Sequence, residues 1–331
     1  SVAGPWRFWI DRGGTFTDVV AAGPDGRLHT RKLLSENPEQ YTDAAVEGIR
    51  RFLAETGSSL ADVEEVRMGT TVGTNALLEH QGEPTLLVIT AGLKDALRIG
   101  YQNRPDIFAL NIRLPRMLYT AVTEARERLD AAGSVLQKLD ENALRADLTR
   151  ARNDGLRSCA IVILHSYAYP EHEIRAGEIA REAGFQQVSL SHEVSPLIKL
   201  VRRGDTAVVD AHLSPVLRAY TQRVSEGLAG VRLYFMQSHG GLTNAASFRG
   251  RDSLLSGPAG GVVGGVSAGG AAGCEKMIGF DMGGTSTDVW HYAGELERTS
   301  ETEIAGARLQ TPVLQFHTVA AGGGSVLFFD G

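Results

Sequence analysis

The chain carries one tight turn twice. "IDRGGTFTDVV" (residues 10–20) and "FDMGGTSTDVW" (280–290) share seven of eleven residues at a constant offset of 270. In each, an apolar run leads to an aspartate (Asp11, Asp281) and a pair of glycines (Gly13 and Gly14; Gly283 and Gly284). Two threonines and a second aspartate follow (Thr15, Thr17, Asp18; Thr285, Thr287, Asp288). A small, polar corner between two apolar runs is a hairpin signal. Glycines admit φ > 0 and let a ligand approach the backbone with no Cβ in the way. Successive N–H groups there form an anion-binding concavity, and threonine hydroxyls add donors. A carboxylate at the strand end holds a hydrated divalent cation or orients a water. One such turn is a weak signal, since Gly-Gly hairpins are common. Two near-copies point to a shared phosphate clamp. Asp11 and Asp281 are then the candidate catalytic and metal-holding residues. Gly13, Gly14, Thr15, Gly283, Gly284 and Thr285 form the cradle, and Thr17, Asp18, Thr287 and Asp288 support it.

Composition narrows the partners. The 331 residues allow two domains and a sizeable core. A net charge of −6 gives no basic footprint for nucleic acid. It leaves a nucleotide open, because backbone dipoles bind phosphate whatever the net charge. No run approaches the roughly 18 apolar residues of a membrane span. The two cysteines, Cys159 and Cys274, each lie beside an apolar strand-like run and read as buried free thiols, which fits a reducing cytoplasm.

Strands are expected at 6–10, 18–23, 27–34, 85–91, 159–164 and 232–236, and helices at 43–57, 139–155 and 171–184. Asp43 and Gly57 supply a start and a stop for the first helix. Ser214-Pro215 reads as a helix start. The run "SGPAGGVVGGVSAGGAAG" (256–273) is expected to be a close-packed helix with Val262, Val263 and Val266 as its apolar stripe, its small residues admitting another backbone. The alternation of strands and helices means an α/β chain.

Several motifs compete. "GVSAG" (265–269) matches a serine-hydrolase elbow but lacks the preceding strand, so Ser267 is expected to pack in a helix. The histidines show no zinc spacing, and His165 and His172 read as satisfied structural residues. There is no Walker-type P-loop. "GTTVGTNALLEHQG" (69–82) either lines a substrate cleft through Thr70, Thr71 and Asn75 or is a helix start capped by Thr74 or Asn75. Arg98 and Arg104 suit a substrate carboxylate or a surface ion pair. "AGGGS" (321–325) lies beside a phosphate or is only a turn.

The paired loops resemble the phosphate loops of the actin-like ATPase superfamily, in which two ribonuclease-H-like domains enclose ATP. Residues 258–273 stand where that superfamily has its connecting helix. The blocks "RKLLSENPEQYTDAAVEGIRRFL", "MGTTVGTNALLEHQG", "RIGYQNRPDIFAL", "YFMQSHGGLT", "LSGPAGGVVGG" and "TVAAGGGS", with the two loops, are similar to the hydantoinase/oxoprolinase family over essentially the whole chain. "NRPDIF" favours its oxoprolinase branch over the N-methylhydantoinase and acetone carboxylase branches. His239 in "SHGG" departs from the family pattern, where Asp or Asn is expected.

The resemblance implies an actin-like α/β architecture with the first loop in 1–204. The connecting helix and second loop would fall in 205–331, the second domain incomplete. It implies ATP and Mg²⁺, and phosphorylation of a lactam oxygen followed by ring opening, 5-oxo-L-proline giving L-glutamate, ADP and phosphate. A hydantoin- or ketone-activating homologue and a non-catalytic nucleotide-binding module are the alternatives. The expected partners are a small lactam and either the remainder of a larger polypeptide or a hydantoinase B-type subunit. A homo-oligomer is compatible with this; nucleic acid and membrane are not expected. The chain is expected to be part of a longer protein, to bind ATP weakly by itself and to expose sheet surface near 290–331.

Overall fold

The computed structural model describes residues 4–102, 108, 110–111, 116–283, 287–304, 306–319 and 321–326. β1 (Trp6–Arg12), β2 (Phe16–Ala22) and β3 (Leu28–Leu34) form an antiparallel meander. α1 (Ala44–Thr56) starts where Asp43 accepts the Ala45 and Val46 N–H groups, and ends at Gly57 in the left-handed conformation. It lays Ile49, Phe52 and Leu53 over Phe8, Ile10 and Val19, all buried. Gly48 allows the close approach, since a Cβ there would stand 2.8 Å from Val19 Cγ2.

β4 (Val63–Thr70) runs parallel to β1 and leads into α2 (Val72–Leu78). The chain then builds a second sheet. Its elements are β5 (Thr85–Thr90), α3 (Ala96–Ile99), β6 (Tyr119–Ala125), the short hairpin β7 (Arg128–Leu129) and β8 (Val135–Gln137), α4 (Glu141–Asn153), β9 (Ser158–Val162), α5 (Glu171–Glu182), β10 (Gln187–Leu190) and α6 (Ser191–Val194). β10, β9, β5 and β6 lie side by side, all parallel. β5 and β9 are buried at every position, as strands covered on both faces must be. α4 and α5 cover one face. Leu97 of α3, with Ala207, Val208 and Ala211 of α7 (Leu200–Gly227), covers the other.

α7 also returns the chain to the first sheet, where Val209, Leu213, Leu217 and Val224 join its core. β11 (Arg232–Met236) pairs parallel with β4, and β12 (Leu242–Asn244) closes the edge in the order β12-β11-β4-β1-β2-β3. The second sheet is thus inserted into the first between α2 and α7. Residues 204 and 205, taken as a division between regions, both lie within α7.

Pro215 does not start a helix. It sits inside the 28-residue α7. A proline there cannot donate to the carbonyl four residues back, that of Ala211. Ser158 Oγ donates to that carbonyl instead, at 2.6 Å from β9, so the gap is filled by a tertiary contact.

α8 (Ser256–Ala271) is the expected small-residue helix, and Ser267 lies exposed within it. It is followed by β13 (Met277–Met282), β14 (Thr287–Tyr292), β15 (Arg298–Ile304), β16 (Ala307–Leu314) and β17 (His317–Val319). β13, β14 and β17 repeat the antiparallel meander of β1, β2 and β3. The β15–β16 hairpin is inserted between its second and third strands. Ile278, Phe280, Met282 and Val319 are exposed on this sheet, so the bare face begins earlier than expected. Cys159 is buried as expected, and burial pushes its thiol pKa up. Cys274 is exposed, because it lies in the turn after α8, its N–H on Gly269 O at 2.9 Å, rather than in β13.

The inserted hairpin ties the second meander to α7. Arg308 Nε donates to Asp205 at 2.6 Å, Gln310 N donates to Thr206 Oγ1 at 2.8 Å, and Ser195 Oγ donates to Gln310 O at 3.0 Å. Burial pushes the Asp205 carboxyl up to about 7, against the pull of Arg308. Between the ordinary aspartate value and about 7, the folded chain holds a proton that the unfolded chain has released. This group's contribution to stability therefore falls as pH rises through that window and stays low above it. Thermal unfolding at about pH 5 and about pH 8 is expected to show a smaller alkaline loss in Asp205→Asn than in the wild type. Equal losses would show that Asp205 stays ionised throughout.

Candidate functional site

The first loop is held from behind. Gly13 N–H donates to Phe16 O at 3.0 Å, closing the turn. Thr17 is fully buried, its hydroxyl 3.0 Å from Ser35 Oγ, which donates to Gly13 O at 2.7 Å. Ser35 N donates to Thr15 O at 2.9 Å. Thr17 is therefore a brace for the turn. The glycine expectation is corrected: neither Gly13 nor Gly14 adopts positive φ. Gly13 is needed for space, since a Cβ would stand 2.9 Å from Phe16 O. The Gly13 N–H is thus engaged within the turn.

The second loop is braced in the same way. Thr287 is buried and donates to Ala321 O at 2.5 Å, and Gly323 N donates to Gly283 O at 2.9 Å. Ala321 and Gly323 thus lie directly against this loop. Gly284 and Thr285 lie outside the described residues, as does Arg104.

The register places three side chains in a row across each meander. Asp11 pairs with Asp18 and Asp18 with Lys32; Asp281 pairs with Asp288 and Asp288 with Thr318. Directly opposed residues of antiparallel strands point to one face. α8 runs between the two rows. A Cβ at Gly257 would lie 3.8 Å from Asp11 Oδ1, and one at Gly261, a turn further on, 3.8 Å from Asp281 Oδ2. A cavity of about 240 Å³ opens there, lined by Asp281, Asp288, Pro258 and Gly261. A larger hollow of about 450 Å³ beside Tyr101, Lys199 and Arg202 shares no residue with either loop.

Asp11 is open to the cleft, yet the cleft walls withhold much of its hydration. That burial, then Asp18, then Asp281, raises its pKa, against Lys32. The two loops therefore act on one another across the cleft. Among the described residues, no three acidic, histidine or cysteine side chains converge to hold a metal. This donor set suits a cation that keeps several waters and takes only one or two carboxylates from protein.

Thr71 and Asn75 join this site. Thr71 N and Oγ1 donate to Arg12 O at 3.0 and 3.2 Å, and Asn75 Nδ2 lies 3.5 Å from where a Gly14 Cβ would stand. Thr71, rather than Thr74 or Asn75, is the N-cap residue of α2, and no side chain caps it. Thr70 is buried, and Ser256 Oγ at the head of α8 donates to its carbonyl at 2.7 Å. Arg98 is not brought in; it is exposed on α3, and its charge is felt at Tyr119. His239 accepts the Gly241 N–H at 3.3 Å. His172 pairs with Glu127 at 2.8 Å, a structural role as expected. Sequence reasoning missed Lys32, Ser35 and Ser256; the serine signals, a hydroxyl after a strand and one before a proline-bearing helix start, were present but common.

Residues 7–184 match the family model for the hydantoinase/oxoprolinase N-terminal region, and residues 203–331 match that for hydantoinase/oxoprolinase. The chain belongs to the hydantoinase/oxoprolinase family. It is 43% identical to a 5-oxoprolinase of Dictyostelium discoideum over 98% of this chain and 30% of that protein. It is 46% identical to 5-oxoprolinase 1 of Arabidopsis thaliana over 99% of this chain and 29% of that protein. The crystal structure of the ATP-dependent caprolactamase from Pseudomonas jessenii superposes with a TM-score of 0.87 at 31% identity, over 98% of this chain and 49% of that one. The family member described here thus spans about 30% of the length of the two 5-oxoprolinases and about half of the caprolactamase chain. Among its described residues, no helix is long and apolar enough to cross a membrane.

Proposed function

We propose that this family member is the nucleotide-binding part of an ATP-dependent lactam hydrolase of actin-like architecture, acting on 5-oxo-L-proline. The observation that carries it is the pair of matching aspartate rows facing one another across α8. The strand order of the first sheet, with three antiparallel strands followed by β4 and β11 in parallel, supports the ribonuclease-H-like assignment. Asp11 and Asp281, with Asp288, would hold hydrated Mg²⁺, while the N–H groups and threonine hydroxyls at the loop tips would receive phosphate oxygens. Gly257 and Gly261 leave the space these groups need. When bound, Mg·ATP supplies a phosphoryl group that turns a poor lactam oxygen into a leaving group. The chain's own task is positioning: the braced loops fix the cradle before the substrate arrives. Thr71 and Asn75 lie at the first loop, where a substrate would meet that phosphate.

The test is ATP hydrolysis by the native full-length protein, screened over 5-oxo-L-proline, hydantoins, larger lactams and ketones. Stimulation by 5-oxo-L-proline with glutamate as product is expected. Stimulation by another class alone would reassign the substrate, and nucleotide binding without any stimulation would favour a non-catalytic module.

A further inference from the structure

The two aspartate rows are alike at two positions and differ at the third. Lys32 completes the first row and Thr318 the second. Lys32 Nζ lies 2.7 and 2.8 Å from the two Asp18 oxygens, whereas Thr318 Oγ1 donates to Asp288 Oδ1 at 2.6 Å. The rows therefore carry different formal charge, one negative unit in the first and two in the second. Lys32 is also the cation that opposes the upward push on Asp11.

The Lys32–Asp18 pair is a weak tether. Its side chains are 57% and 50% exposed, and a solvated pair of this kind contributes only about 0–1 kcal/mol. A polyanion entering the cleft offers the ammonium a denser charge than Asp18 does. β3 places Lys32 on the same sheet face as Asp11, so the ammonium need only turn on its flexible stem.

We propose that Lys32 takes the terminal phosphate of a bound nucleoside triphosphate, while the more acidic second row attracts the divalent cation. This assigns the nucleotide a polarity, with its terminal phosphate at the first loop. The inference rests on the nucleotide-binding reading above, and it assigns a role to a residue that the doubled turn does not contain.

The experiment is equilibrium titration of the native full-length protein with Mg·ATP and Mg·ADP, for wild type, Lys32→Met and Lys32→Arg. Ligand-free thermal midpoints are measured alongside. Losing one charge-assisted contact to the terminal phosphate is expected to weaken Mg·ATP about tenfold or more, with Mg·ADP changed less than about threefold. Lys32→Arg should recover most of the difference, and the ligand-free midpoints should agree. If wild type binds neither nucleotide, the nucleotide reading itself fails. If wild type binds both and Lys32→Met binds Mg·ATP equally well, or loses both nucleotides alike, Lys32 does not read the terminal phosphate.

Discussion

Asp281→Asn and Asp11→Asn are each expected to lower ATP hydrolysis of the whole protein by about a hundredfold or more, since each removes charge from the proposed cation site. Neither change should cost stability. Among the described residues, neither carboxylate makes a hydrogen bond or an ion pair, so the fold does not draw on them. Asp11 is worse than neutral for folding: burial, Asp18 and Asp281 all disfavour its ionised form. Asn keeps the side-chain size and removes that penalty, so the Asp11→Asn midpoint should match or exceed wild type. On the nucleotide-binding proposal, these unpaired acids are a place where stability is given up for function. Turnover and thermal midpoint should be measured on the same preparations. Near-normal turnover in both variants would sink the two-loop site, and a large loss of stability would show that the carboxylates are structural.

Much of this arrangement is legible along the chain because it is local. The first meander, α1 with its two caps and the small-residue α8 follow from alternation, turn chemistry and capping. What was hidden depends on contacts far apart in sequence. Pro215 inside α7 is tolerated because Ser158, on another element, supplies the missing donor. The third strand of the second meander was invisible because the β15–β16 hairpin interrupts the repeat. The offset of 270 between the aspartates becomes 286 between Lys32 and Thr318, so a comparison at constant spacing loses them. That is why Lys32 escaped notice. The left-handed conformation expected in the first loop is absent at Gly13 and Gly14, because a turn closed by Gly13 N–H on Phe16 O needs room, not a positive φ. α8 was expected to admit a backbone, and at Gly257 it does, lying against Gly69 of β4; further along, Gly265 and Gly269 receive the Trp290 ring and the Met277 thioether.

That packing leads to the largest expected effect on stability. Gly279 lies directly across the ladder from Trp290, and a Cβ at Gly279 would fall inside the indole. On its other side the ring lies against Gly265 and packs with Ala259, Val262 and Leu314 in a small core. The first meander solves the same position with the sizes reversed, Trp9 standing opposite Val20. Gly279→Val must therefore expel the indole, and Trp290→Ala must leave its space empty. Each is expected to cost about 3–5 kcal/mol, the range for losing a buried tryptophan. Each should also loosen the second loop, since Gly279 and Trp290 are two residues from Asp281 and Asp288 respectively. The double variant Gly279→Val, Trp290→Ala sets a smaller, mutually compatible pair at this position, so its loss should fall well below the sum of the two single losses. Denaturant unfolding of the three variants measures this directly. Additive losses would mean that glycine and indole act independently, and that the second loop is not positioned by this contact.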